Sequence, residues 1–168
     1  MQRNTKIALL VFFVLIVAAV PLYIYTRPDA ASEADSLQIK GDVANPQTLT
    51  IAQLEAYPKV TLQVTLTSSS QAQDNGNFSY TGVRLKDLLN DAQVNGNATE
   101  VFVQAQDGYG TTLTMTEAQN QNTIIAYQKD GLALTLLKDG GEGPLRLIIG
   151  DDEFAQRWVR GVAALEVN

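Results

Sequence analysis

An uncharged apolar run near the N-terminus is the feature that most constrains this chain. Residues 7–24 read IALLVFFVLIVAAVPLYI and carry no charge. At about 1.5 Å per residue such a run gives roughly 27 Å of helix, close to the hydrocarbon thickness of a bilayer. Arg3 and Lys6 precede it, whereas Arg27 and Asp29 behind it cancel. The positive-inside rule then predicts one membrane-spanning helix, with a cytoplasmic N-terminus and the rest of the chain outside the cytoplasm.

A cleaved signal peptide is the alternative interpretation of this segment. The apolar region of a signal peptide normally runs about 7–15 residues and ends at a small-x-small cleavage site. Here the run is longer, and the nearest such site, Ser32-Glu33-Ala34, lies well beyond it. These features favour an uncleaved anchor in residues 1–25, followed by a polar linker in residues 26–36. Both interpretations place the following domain outside the cytoplasm.

The chain lacks two residue types on which many functional sites depend. No cysteine and no histidine occur among its 168 residues. Disulfides, thiolate nucleophiles, zinc fingers, Ser-His-Asp triads and histidine-ligated metals are therefore excluded. The net charge is −6, and the region after residue 34 keeps 9 basic and 16 acidic side chains. A chain this acidic lacks the basic stripe that a nucleic-acid partner requires.

Residues 37–168 are predicted to form an α+β domain that is richer in strand than in helix, because period-two alternation dominates the pattern. Short helices are predicted from a capping-box pattern at 50–53, an apolar face over 85–92 and a second cap at 116–119. Residues 107–110 are typical of a hairpin. The predicted strands cover residues 37–43, 60–66, 100–106, 111–115, 123–128, 145–149 and 163–167.

Two acidic patterns were weighed as metal sites. The triplet Asp151-Asp152-Glu153 offers oxygen ligands of the kind that calcium prefers. Adjacent acids in an extended segment point to opposite faces, however, so the triplet is more typical of a solvated turn. The run that starts at Asp91 resembles an EF-hand loop, but Phe102 stands at its twelfth position, where a bidentate Glu is required. The sequence predicts no metal site.

The glycine-rich segment 140–144 and the arginines that follow it are candidates for anion binding. Glycine-rich backbone can cradle phosphate, but this segment lacks a following Lys-Ser/Thr and leads into a strand, so its spacing alone favours a plain turn. Arg157 and Arg160 are further candidates for binding an anion. The alternative is that they cover the apolar edge of the domain and pair with the acidic triplet.

Two polar patterns carry little weight. The run Ser68-Ser69-Ser70 has no base in a recognisable motif, so it predicts no serine nucleophile. Asn77 and Asn97 each begin a glycosylation sequon. The chain's content of Asn, Ser and Thr gives about one sequon by chance, so neither predicts function.

The order and spacing of segments over residues 37–167 resemble the molybdopterin-binding domain of the sulfite oxidase family. The resemblance implies a strand-rich mixed β-sheet fold with few short helices, an oxidoreductase activity and a molybdopterin cofactor. The segments that carry it are, in chain order, 39–46, 49–54, 60–66, 80–89, 107–109, 125–127, Gly131, 143–147, 158–160 and 165–167.

The sequence departs from that family at the metal. The family supplies a molybdenum-binding cysteine after the alternating strand, and the matching position here is Thr67-Ser68. A hydroxyl has a far higher pKa than a thiol and is a poor soft ligand, so it cannot replace a thiolate on molybdenum. The resemblance leaves a remnant of a phosphate site in Gly143, Arg146 and Arg160, with Ser68 as a further contact.

The sequence therefore predicts a membrane-tethered, extracytoplasmic domain of the molybdopterin oxidoreductase fold that has lost cysteine-ligated catalysis. It would bind an anionic ligand or act as a partner in a membrane protein complex, with no catalytic residue and no bound cofactor. The alternative is a molybdopterin-dependent oxidoreductase that transfers oxo groups and holds its metal through the pterin dithiolene alone. Metal analysis of the purified protein distinguishes the two.

Overall fold

A computed structural model describes residues 35–68 and 75–168, which form two β-sheets joined by short helices. The strand-rich α+β class predicted for this region is confirmed. The predicted anchor in residues 1–25 lies outside the described residues, as does most of the predicted linker. Within the described ranges, no helix combines the length and the apolar character needed to cross a membrane.

The first sheet joins strands from distant parts of the chain. Its five strands are β1 (Ser36–Gly41), β2 (Gln47–Thr50), β5 (Glu100–Ala105), β6 (Gly110–Thr114) and β10 (Val162–Val167). They lie in the order β2-β1-β10-β5-β6. The pairing of β1 with β10 is parallel, with Ile39 opposite Leu165, and the other pairings are antiparallel. The hairpin predicted at residues 107–110 is confirmed, because it connects β5 to β6.

The second sheet is antiparallel throughout and carries most of the buried strands. It contains β3 (Lys59–Leu66), β4 (Gly76–Arg84), β7 (Thr123–Lys129), β8 (Leu132–Ala133) and β9 (Arg146–Ile149). Strand β7 pairs with β4 on one side and with β8 and β9 on the other. Residues 123–127 and 146–149 are buried without interruption. One apolar cluster joins the two sheets, with Leu37 and Leu165 from the first and Tyr80 and Ile125 from the second.

The helices are as short as the sequence predicts. They are α1 (Ile51–Leu54), α2 (Leu85–Asp91) and α3 (Met115–Ala118), together with 3-10 turns at Leu137–Asp139 and Ala155–Arg157. The capping box at the start of α1 is confirmed, because Thr50 accepts from the backbone N–H of Gln53. The cap predicted at Thr116 is wrong: Thr114 caps α3, with Glu117 as its reciprocal partner. Since β6 ends at Thr114, the helix begins directly after it and not two residues later.

Candidate functional site

A cleft of about 380 Å³ lies where the end of β3, the β5–β6 hairpin and the segment between β9 and β10 meet. Three of the four predicted ligand residues are brought together in this single cavity. The polar and aromatic residues that line it are Ser68, Asp107, Tyr109, Arg146, Gln156, Trp158 and Arg160.

Backbone pairing explains why the two arginines are neighbours. Arg146 begins β9 and pairs across an isolated antiparallel bridge with Arg160. The backbone N–H of Leu147 donates to the carbonyl of Val159 at 2.9 Å, which continues the same contact. Ser68 enters from another direction, two residues after the end of β3. The cleft is thus formed by the ends of strands, where side chains from separate segments can converge on a ligand.

Gly143, the fourth predicted ligand residue, is not among the residues that line the cleft. Its φ is +88°, and a Cβ placed on it would lie 2.4 Å from the Cα of Gly161. The two glycines therefore allow two backbone segments to pack closely beside Arg160. The structure thus shows a packing role for Gly143 next to the residue that precedes Gly161.

Beneath the cleft, Arg146 belongs to a buried polar network. Its side chain is only 2% exposed, and its Nη1 donates to the Tyr80 hydroxyl at 2.8 Å and pairs with Glu142 at 2.5 Å. The Tyr80 hydroxyl donates to Glu142 Oε2 at 2.9 Å, and Lys129 Nζ pairs with Glu142 Oε1 at 2.8 Å. Sequence reasoning missed Tyr80, Glu142 and Lys129. The four-residue spacing of Glu142 and Arg146 gave no signal, because ion pairs at that spacing are expected in helices and residues 142–146 are not helical.

The charges in this network fix its protonation. Burial favours the neutral form of Glu142, but Arg146 and Lys129 outweigh it and hold the pKa of that carboxyl below its usual value. Burial raises the pKa of Tyr80; Arg146 opposes the rise and Glu142 reinforces it, so the phenol stays protonated. A charged Glu142 therefore balances one of the two cations, the buried Arg146 and the partly exposed Lys129, and the network keeps one positive charge.

Two buried N–H donors in the cleft walls lack partners. Arg146 Nε and Trp158 Nε1 make no hydrogen bond within the described part of the chain. The Arg146 guanidinium carbon lies 5.8 Å from the Trp158 ring, and Trp158 packs edge-on against Tyr80 at 6.3 Å. A buried donor without a partner costs about 1–3 kcal/mol.

The donor atoms do not fit a metal held by the protein. The residues described by the structure contain no group of three or more Asp or Glu side chains placed to hold a metal ion, and the whole chain has no Cys or His. At the position that matches the family's cysteine, Ser68 offers a hydroxyl, which is a hard and weakly acidic ligand. The arrangement is suited to recognising an anion through N–H and O–H donors.

The second interpretation of Arg157, pairing with the acidic triplet, is confirmed. Its guanidinium contacts both oxygens of Asp152, at 2.6 and 3.1 Å, and also Glu117 at 2.8 Å. Asp151 accepts from the side-chain amides of Asn120 and Asn122. The carboxylates at 151 and 152 are therefore tied into contacts with the rest of the fold.

The family is decided by how much of the chain a family model matches. The family model of the oxidoreductase molybdopterin binding domain matches residues 25–168. The chain belongs to this family. The resemblance proposed from the segments between residues 37 and 167 is thereby confirmed, and the missing cysteine is a property of this member of the family.

The chain is similar to one curated protein in sequence and to one solved structure in fold. The chain is 26% identical over 137 residues to YuiH, an uncharacterized oxidoreductase of Bacillus subtilis (strain 168); the match covers 79% of this chain and 66% of YuiH. The structure is similar to the sulfane dehydrogenase SoxCD from Paracoccus pantotrophus, with a TM-score of 0.65 and 23% identity. That match covers 79% of this chain and 37% of the SoxCD chain, and it establishes the fold.

Alkaline pH is expected to destabilise the fold through its tyrosines. Burial and a hydrogen bond to Asp91 raise the pKa of Tyr57 from 10.0 to about 12, and burial also raises the pKa values of Tyr80 and Tyr127. A raised folded pKa gives stability that is complete below about pH 10 and is lost as pH rises towards 12. Urea unfolding at about pH 8, 10 and 11 should show this decline. Tyr57→Phe should flatten it, and an unchanged slope would contradict the assignment.

Proposed function

We propose that the domain binds a small phosphate-bearing or similar anionic ligand in the cleft, and that it is not a cysteine-ligated molybdenum enzyme. The carrying observation is the convergence of Ser68, Arg146 and Arg160 on one cavity. Its volume of about 380 Å³ falls within the range of small-molecule sites, about 300–1,000 Å³. Membership of a molybdopterin-binding family supports a ligand that resembles a pterin phosphate.

The charge balance of the cleft supports an anion. Arg146, Arg160 and Asp107 are the charged residues that line it, so the lining carries a net charge of +1. Glu142 does not change this sum, because Lys129 pairs with it and balances its charge. The chain as a whole carries −6, so the cleft is a positive site on an acidic protein. Such a site concentrates anions that the remaining surface repels.

Arg160 is the residue on which we place ligand recognition. Arg146 is nearly inaccessible, and its charge is shared with Glu142. Arg160 is only partly buried, and it lines the same cavity. A guanidinium presents a planar fork that matches two phosphate oxygens, which a lysine cannot do.

The location outside the cytoplasm is part of the proposal and is supported by the sequence alone. The uncharged run at residues 7–24 and the positive charges before it predict a tether with the domain on the outer side. Fusion of reporter enzymes to the C-terminus tests this orientation. Activity of a reporter that folds only in the cytoplasm would overturn it.

Phosphate binding by the purified full chain tests the function. Calorimetric titration with inorganic phosphate and with pyrophosphate is expected to give saturable heats, and Arg160→Ala should weaken binding about tenfold or more. Lys40→Ala is the matched control, because Lys40 pairs with Glu166 at the surface and is not part of the cleft. Absence of binding by the unmodified chain, or equal weakening in both variants, would refute the proposal.

Metal analysis of the same preparation tests the alternative enzyme. Stoichiometric molybdenum, released together with a pterin on denaturation, would establish metal held through the dithiolene alone. The present proposal expects molybdenum far below one atom per chain. Growth with added molybdate is the necessary control, because a low molybdenum content could otherwise result from a shortage of the metal during growth.

A further inference from the structure

One wall of the cleft is formed by a short segment without regular strand structure. Residues 154–158 lie in the connection between β9 and β10 and include the 3-10 turn Ala155–Arg157. Ala155, Gln156 and Trp158 from this segment line the cleft. The backbone N–H of Ala155 donates to the Thr67 carbonyl at 3.0 Å, next to Ser68. The shape of the cleft therefore depends on where this segment is held.

Arg157 ties the segment to a different part of the fold. Arg157 is not among the residues that line the cleft. Its Nε and Nη2 contact the two oxygens of Asp152 at 3.1 and 2.6 Å, while Nη1 contacts Glu117 Oε1 at 2.8 Å. Glu117 belongs to α3 and is fixed by its second oxygen, which accepts from the Thr114 backbone N–H at 2.8 Å. One guanidinium thus clamps the wall to the start of a capped helix.

A second tie at the start of the same loop strengthens this clamp. The two oxygens of Asp151 accept from the amides of Asn120 and Asn122, each at 2.7 Å.

The hydrogen bond from the Thr114 backbone and then the contact with Arg157 lower the pKa of Glu117, so this carboxyl stays ionised at neutral pH. Several charges with fixed geometry form a network, which is the case in which surface ion pairs have measurable effects.

We propose that Arg157 is a positioning residue that holds the wall formed by residues 154–158 in its binding position by clamping it to α3. The clamp acts on the cleft without touching a ligand. Its effect on affinity rests on the proposed function, but its effect on the wall does not. Without the clamp, the contacts that remain to the wall include the Ala155–Thr67 hydrogen bond, the hydrogen bond from the Tyr109 hydroxyl to the Gln156 carbonyl and the edge-on packing of Trp158 against Tyr80.

The chain contains an internal probe for this wall. Trp158 is its single tryptophan and is only 4% exposed. Arg157→Met removes the charge and keeps the length of the side chain. We expect the emission of Trp158 to shift to longer wavelength and its quenching by acrylamide to rise about twofold or more, because local opening exposes the ring. Circular dichroism melting shows that the variant is folded when the fluorescence is read.

Two further variants make the test specific. Arg157→Lys keeps the charge but not the two-pronged contact with Asp152, so its quenching should lie between that of the unmodified protein and that of Arg157→Met. Lys40→Met removes an exposed ion pair remote from the wall and should leave Trp158 unchanged. If Arg157→Met leaves the fluorescence of Trp158 unchanged, or if Lys40→Met alters it equally, the clamp is refuted.

Ligand affinity separates this inference from the proposed function. If both are correct, Arg157→Met weakens phosphate binding about tenfold, because the cleft loses its preorganised wall. If Trp158 becomes exposed but the unmodified chain binds neither phosphate nor pyrophosphate, the clamp is supported and the proposed function is refuted. If phosphate binds and Trp158 does not respond, the function stands and the clamp is refuted.

Discussion

Replacing Arg146 with methionine is expected to lower the free energy of unfolding by about 3 kcal/mol, because it leaves a buried carboxylate with one of its two cations removed. Glu142 would retain only Lys129, and the Tyr80 hydroxyl would lose the donor that now lies 2.8 Å away. Methionine keeps most of the volume of the aliphatic part of arginine, so the lost stability is due to the missing charge and hydrogen bonds. Chemical denaturation followed by far-ultraviolet circular dichroism measures it.

A double substitution identifies the cause of that loss. Adding Glu142→Gln to Arg146→Met removes the underpaired carboxylate and should recover part of the stability. Lys40→Met, at an exposed ion pair, should cost about 0–1 kcal/mol. If Arg146→Met costs no more than this control, Lys129 alone satisfies Glu142, and Arg146 is available for ligand binding.

Gly143→Ala is expected to lower the free energy of unfolding by at least about 3 kcal/mol, because a steric clash adds to an unfavourable backbone conformation. The φ of +88° penalises any side chain, and the new Cβ would lie 2.4 Å from the Cα of Gly161 and 2.6 Å from its backbone nitrogen. Neither neighbour is a flexible side chain, so one of the two backbone segments must move. Arg160 precedes Gly161 directly, so phosphate binding should fall along with stability.

Gly131→Ala is the matched control for this substitution. Gly131 has a similar φ of +80°, and a Cβ placed on it meets nothing within 4 Å. It should lose only the conformational part, about 1 kcal/mol, and leave ligand binding intact. The difference between the two variants measures the backbone contact at the cleft. Equal losses of stability in the two variants would show that the backbone at Gly161 moves aside without a measurable loss of free energy.

The sequence predicted both alternating and continuously buried strands, but it missed β4. The alternating strands β5 and β10 each bury one face, and their period-two pattern predicted them within one or two residues. Residues 80–83 of β4 are buried and show no alternation, as in the predicted strands β7 and β9, so burial alone does not account for the miss. Gly82 lies in that stretch, where a Cβ would lie 2.1 Å from the Ile125 carbonyl oxygen. In a short stretch of sequence, a glycine is more readily interpreted as a turn than as a position where two backbones approach closely.

The sequence predicted residues that line the cleft, but not the residues that hold Arg146 in place beneath it. Ser68, Arg146 and Arg160 were selected through family resemblance, and they line one cleft. Tyr80 and Arg146 are 66 positions apart in the sequence, and no local pattern connects such a pair. Gly143 was predicted to bind a ligand, because a glycine forced by close packing and a glycine that cradles phosphate are alike in sequence.

The parallel pairing of β1 with β10 constrains the order in which the first sheet can form. β10 lies between β1 and β5, so β1 can pair early with β2 but meets its second neighbour only after residue 167 has been synthesised. Until then one edge of β1 stays open, and closing so long a loop slows the final step. The first sheet is therefore completed only when β10 becomes available, late in the synthesis of the described region.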